Sequence, residues 1–153
     1  FKQKTAYEIY QCDWSSDVCS SDLIMSLMFS GALSRFADIR FIFCHAGGSM
    51  PMFSGRMIHS GSNSRFLEKV PKGIDYELKK LHYDIAMAAF RPSLTALFEM
   101  VPKSQVLLGS DYPFSSLNAS VSGLEAMGLP AEESRAIYRG NAERLIPRLK
   151  ALG

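Results

Sequence analysis

The sequence predicts an α/β fold with parallel strands, and three observations carry that expectation. Three short β-rich apolar runs recur along the chain, at residues 40–44 (RFIFC), 81–86 (LHYDIA) and 106–109 (VLLG). Stretches of helical character separate them, as successive βα units require. The first and third runs end abruptly, in His45-Ala46-Gly47-Gly48 and in Ser110-Asp111-Tyr112-Pro113-Phe114. In folds of this kind functional groups gather at the carboxyl ends of strands.

The elements follow in order. Residues 24–37 are dominated by apolar side chains and predict a helix, with Gly31 as its weak point. RFIFC is a continuous apolar run, as expected of a strand buried on both faces. Gly47 and Gly48 lack side chains and let the backbone approach a ligand closely. Ser49 and Pro51 then fit a helix start, as N-cap and first-turn residue, with the helix running to about Ser60. Residues 61–75 read as loop, rich in Gly, Ser, Asn and Pro. LHYDIA is the second strand, and Pro92 opens a helix through Met100. VLLG is the third strand, followed by a helix over 117–127. Gly128-Leu129-Pro130 breaks it, and 131–149 form the last helical stretch, interrupted near Gly140.

Composition narrows the function classes. With 153 residues, 47% of them hydrophobic, the chain suits one core and is too apolar for a disordered segment. The formal charge of +2 calls for neither nucleic acid nor an anionic membrane as partner. The longest apolar runs fall far below the roughly 20 residues of a spanning helix. Three cysteines make no even disulfide framework, which favours a cytoplasmic setting. Cys12 and Cys19 lack the close spacing of a zinc pair and have no neighbouring His.

Residues 1–23 read as a non-native extension. KQKTAYEI and DWSSDVCSSDL resemble, in order and in frame, the translation of a common sequencing-library adapter, with a variable index between them. The segment shows no hydrophobic period of either kind, and poor packing against the rest is expected.

Four motifs, CHAGGSMPMFSGR, LHYDIA, LLGSDYPF and YRGNAERL, occur in this order. Together they resemble the C-terminal part of the amidohydrolase-related family, over essentially all of residues 24–153. The resemblance implies an incomplete (β/α)8 TIM barrel, with about its last three βα units present here; a whole barrel takes about 250 residues. It also implies non-oxidative decarboxylation of an aromatic or unsaturated keto or carboxylic acid. Metal-dependent hydrolysis is the alternative within the family. The implied cofactor is a divalent metal, zinc first and manganese second, and the implied partners are a small-molecule carboxylate and further copies in a homo-oligomer. By resemblance Asp111 is the metal's carboxylate ligand and a catalytic group, and His45 is the acid/base histidine. Arg56 is the substrate-binding residue, a guanidinium fork suited to a carboxylate, and in relatives it reaches across a dimer interface. The family's His-x-His pair and later His are absent, since His45, His59 and His82 are the only histidines.

Plainer roles stand beside these. His45 is either an acid/base group, its ordinary pKa lying near neutrality, or a loop-capping residue. Asp111 is either a ligand or the start of an Asx turn. Arg56 is either a clamp or a solvated helix charge. Cys44 suits a buried small hydrophobe, His82 suits local packing, and His59 suits a helix end at the surface. Asp84 either points into the barrel mouth or caps the next helix. A non-catalytic fragment and a nucleotide-binding module are the readings from other classes; the second lacks a phosphate loop.

Overall fold

The computed structural model describes residues 16–61 and 64–152. Helix α1 (Ser16–Phe29) ends at Gly31, whose φ of 74° suits a residue without a Cβ, and α2 (Ala32–Arg35) follows as a single turn. Strand β1 is Ile42–Phe43, followed by a tight turn at His45–Gly47 and helix α3 (Met50–Ser60). Pro51 lies in the first turn of α3 as expected. Ser49 occupies the N-cap position without a capping bond, because its hydroxyl pairs with Ser21 Oγ at 2.9 Å. Next come α4 (Ser64–Leu67), α5 (Ile74–Lys80), β2 (His82–Asp84) and α6 (Arg91–Met100). Strand β3 (Val106–Leu107) leads to α7 (Leu117–Glu125), α8 (Ala131–Arg135), a π-helical turn at Ala136–Gly140 and α9 (Asn141–Leu145).

The described sheet has the order β1–β2–β3 and is parallel throughout, with Phe43 opposite Tyr83 and Asp84 opposite Leu107. Tyr83 is its buried centre. Its ring packs 6.2 Å from that of Phe43, and its hydroxyl donates to the Leu78 carbonyl at 3.2 Å. Ile24, Met28, Met50, Leu94, Leu97 and Ile137 close the core around the sheet. The Met content is thus partly core, as expected, although Met52 is exposed.

Several expectations are corrected. RFIFC is not covered on both faces among the described residues: Ile42 is 48% exposed while Phe43 is buried. Cys44 is exposed, with its sulfur 3.4 Å from Ser20 Oγ. The stretch read as loop contains α4 and the start of α5. Helix α5 has acidic Asp75 and Glu77 in its first turn and Lys79 and Lys80 in its last, an order that complements the helix dipole. Gly47 serves packing rather than a ligand, since a Cβ there would stand 2.8 Å from the Tyr83 ring.

Where side chains of residues 1–23 are described, the packing is mixed: Asp22 and Leu23 are exposed, whereas two serines pack against the rest. Residues 16–23 are helical, and Ser20 and Ser21 are buried. Ser21 Oγ donates to the Gly47 carbonyl and accepts the Ser49 N–H, so α1 supports the turn after β1. Cys12 and Trp14 lie outside the described residues. Among the described residues, no helix is long and apolar enough to cross a membrane.

Candidate active site

Each strand hands the chain to a loop containing a left-handed residue other than glycine. His45 and Ala46 after β1 have φ of 54° and 59°, Met87 after β2 has 54°, and Asp111 after β3 has 63°. Such conformations cost on the order of 1–3 kcal/mol each and persist only where surrounding bonds impose them. All of them lie on the carboxyl side of the sheet.

The bonds that impose the His45 conformation come from β2. Asp84 Oδ1 accepts the His45 N–H at 3.1 Å and the Ala86 N–H at 3.0 Å. His45 Nδ1 stands 2.9 Å from the Ala86 carbonyl oxygen. A carbonyl can only accept, so Nδ1 carries the hydrogen and Nε2 is the free ring nitrogen of the neutral imidazole. Nε2 in turn lies 4.0 Å from Asp111 Oδ1. The two motif histidine and aspartate residues are therefore brought together from strand ends 66 positions apart in sequence.

Asp111 does not make the turn that was its plainer reading. Ser110 Oγ takes the Tyr112 N–H, and the Asp111 main-chain carbonyl takes those of Phe114 and Ser115. Its carboxylate is left facing His45, 30% exposed. Asp84 is held above the usual carboxylate range, chiefly by burial and further by the Asp111 charge. The two N–H donors and His45 pull the other way.

A cleft of about 180 Å³ opens beside His45, lined by Gly48, Pro51, Met52, Met87, Pro92 and Ser93 among others. Arg56 does not join it. It is exposed and lines a separate groove of about 430 Å³ between α1 and α3, together with Met25, Phe53 and Met57. His59 is exposed in the last turn of α3. His82 lies at the opposite end of β2 from Asp84, half-buried, with its Nδ1 buried and lacking a hydrogen-bond partner.

As a metal site the described residues fit in part. Asp111 and His45 offer one carboxylate and one imidazole on the same side of the sheet. Among the described residues, no group of three or more His, Cys, Asp or Glu side chains could hold an ion. Closed or catalytic metal sites use at least three protein donors.

A parallel sheet of βα units with an imidazole and a carboxylate at the carboxyl ends of its strands is what part of a (β/α)8 barrel presents. The Amidohydrolase family profile matches residues 10–148, and the chain belongs to that family. The 6-methylsalicylic acid decarboxylase of Penicillium expansum is 32% identical over 138 residues, covering 84% of this chain and 41% of that enzyme. Among solved structures, the chain is similar to a 2,6-dihydroxybenzoate decarboxylase complexed with 2,6-dihydroxybenzoate. The TM-score is 0.73 at 18% identity, covering 82% of this chain and 40% of that one. It is also similar to a dihydroxybenzoic acid decarboxylase from Polaromonas sp. JS666 with bound manganese and the inhibitor 2-nitroresorcinol. Here the TM-score is 0.71 at 15% identity, covering 94% of this chain and 47% of that one. The likenesses show the fold, a portion of a (β/α)8 barrel. The chain spans about two fifths of the length of the curated relatives it matches.

Proposed function

We propose that this chain is the C-terminal part of a metal-dependent carboxy-lyase that removes carbon dioxide, without oxidation, from an aromatic or unsaturated keto or carboxylic acid. The observation that carries the proposal is the His45–Asp111 pair, with the histidine tautomer fixed by the Ala86 carbonyl. Similarity to decarboxylases of 6-methylsalicylic and dihydroxybenzoic acids supports the substrate class.

Decarboxylation breaks the bond between the substrate carbon and its carboxylate. The electron pair stays on that carbon, which must gain a proton as carbon dioxide leaves. His45 suits the proton delivery: Nδ1–H is committed to Ala86, so Nε2 alone exchanges protons with the cleft. The Asp111 carboxylate lies 4.0 Å from this nitrogen. Asp111 is also the proposed metal ligand, with the remaining donors supplied by strands outside this chain. A divalent ion there would neutralise the substrate's negative charge. Manganese in a similar structure supports the divalent class, and zinc and manganese are the two proposed identities. Arg56, on a different face of α3 from the His45 cleft, is proposed to hold a substrate carboxylate in a neighbouring subunit of a homo-oligomer.

We also propose that residues 1–23 are adapter-derived. Long reads across the junction of residues 23 and 24 in source DNA test this, and genomic codons for the segment would refute it.

The activity test uses the intact gene. Carbon dioxide release from 6-methylsalicylate or 2,6-dihydroxybenzoate should vanish on chelation and return with zinc or manganese. His45→Gln should lower kcat about 10²–10⁴-fold, the usual contribution of a general acid. Metal-restored ester or amide hydrolysis without carbon dioxide release would replace the lyase by a hydrolase.

A further inference from the structure

We infer that Asp84 is a positioning residue for His45, its carboxylate locking together the two loops that dictate which ring nitrogen of His45 carries the hydrogen. This rests on the reading of His45 as the proton-transfer group.

Asp84 ends β2, the central strand of the described sheet, and so lies between the loops that follow β1 and β2. One of its oxygens, Oδ1, accepts two main-chain N–H groups, those of His45 and Ala86. The same two residues are joined again by the bond from His45 Nδ1–H to the Ala86 carbonyl. Three hydrogen bonds thus close a ring through Asp84, His45 and Ala86. Within it, the place of the Ala86 carbonyl relative to the His45 main chain is set by a single carboxylate oxygen. That place decides whether Nδ1 is a donor, and hence whether Nε2 is free to face Asp111.

Two further observations agree. His45 is held at a φ of 54°, and its captured N–H is the contact that restrains this conformation from β2. On the other side, Gly109 after β3 makes room for the carboxyl group, since a Cβ there would lie 3.0 Å from Asp84 Cγ. The helix-capping alternative does not form: α6 starts at Arg91, and its N-cap is Phe90. Burial raises the Asp84 pKa, so an uncharged acceptor of the same shape should be tolerated.

The test reads the two ring-nitrogen chemical shifts of His45 by long-range ¹⁵N NMR in the full 153-residue chain at neutral pH. The wild type should show the Nδ1–H tautomer. Asp84→Asn retains an acceptor oxygen and should keep that pattern. Asp84→Ala removes it and should give a mixture of Nδ1–H and Nε2–H forms. Should Asp84→Ala not fold, Asp84→Glu moves the carboxylate by one methylene while keeping its charge, and altered nitrogen shifts are again expected. An unchanged Nδ1–H tautomer in whichever of the two variants folds would overturn the inference. Nitrogen shifts report on Asp84 without turnover, whereas carbon dioxide release reports on the proposed activity, so the two can fail separately.

Discussion

Gly109 faces Asp84 so closely that a Cβ added to the glycine would stand 3.0 Å from the Asp84 carboxyl carbon and 3.1 Å from its Cβ. The strand-end glycine and the strand-end aspartate are thus one packing unit. Substituting Gly109→Ala should displace the carboxyl group by a few tenths of an ångström and weaken its bonds to the His45 and Ala86 N–H groups. The expected loss is about 1 kcal/mol, the worth of one hydrogen bond. Denaturant midpoints measure it, and faster amide exchange at both His45 and Ala86 should accompany it. Unaltered exchange at those two amides would show that Asp84 has slack.

Stability should carry the mark of Asp84 in its pH dependence. Burial lifts its folded-state pKa above the ordinary 3.8, so the folded chain binds this proton more tightly than the unfolded one. Stability therefore falls as pH rises from 3.8 through the folded value, and the full cost is present above it. Asp84→Asn has no such ionisation. Its Tm relative to wild type should climb with pH across that window and level off beyond it. A Tm difference that is flat with pH would contradict the assigned direction.

Much of the fold was legible because buried β-rich runs announce themselves. RFIFC, LHYDIA and VLLG each contain a strand, and Pro92 marks the first turn of α6. The strands are shorter than the runs because ladder pairing, rather than apolar content, ends them. Helix α5 was hidden because one of its inward positions is Glu77, buried and paired with Lys80 at 2.9 Å, which breaks the apolar period. Its acidic start and basic end were the available signal. The placement of His45 and Asp111 at strand ends was readable from motifs. The Asp84 bond was not, since it depends on an N–H donor 39 residues away. Nor were the left-handed positions, which fall on His, Ala, Met and Asp rather than on glycine alone.

His82 should make the chain sensitive to acid. Burial lowers its pKa, Arg40 and Arg144 lower it further, and the Phe41 main chain opposes them. The cleft that His82 lines also contains Lys80, a third cation. With the folded value below 6.5, the unfolded chain binds this proton first, so stability is lost as pH falls below 6.5 and is fully present above it. His82→Gln should flatten this part of the profile. Thermal unfolding on either side of pH 6.5 decides the matter, and an equally steep acid limb in the variant would assign the loss to another group.

Asn141 ties the last helices to β3 through a single buried amide. Its Nδ2 donates to the Lys103 carbonyl at 2.8 Å and to the Val106 carbonyl at 2.7 Å, while its Oδ1 accepts from Arg144 at 2.8 Å. The side chain is 1% exposed, so water does not readily replace those donors. Asn141→Leu should cost roughly 1–3 kcal/mol for each carbonyl left without a partner. Asn141→Asp should be at least as harmful, because it turns both donors into an acceptor facing two carbonyl oxygens. Chemical denaturation of the two variants beside wild type provides the comparison. If Asn141→Leu unfolds at the wild-type midpoint, the carbonyls of Lys103 and Val106 have found other donors, and the amide is not what fastens α9 to the sheet.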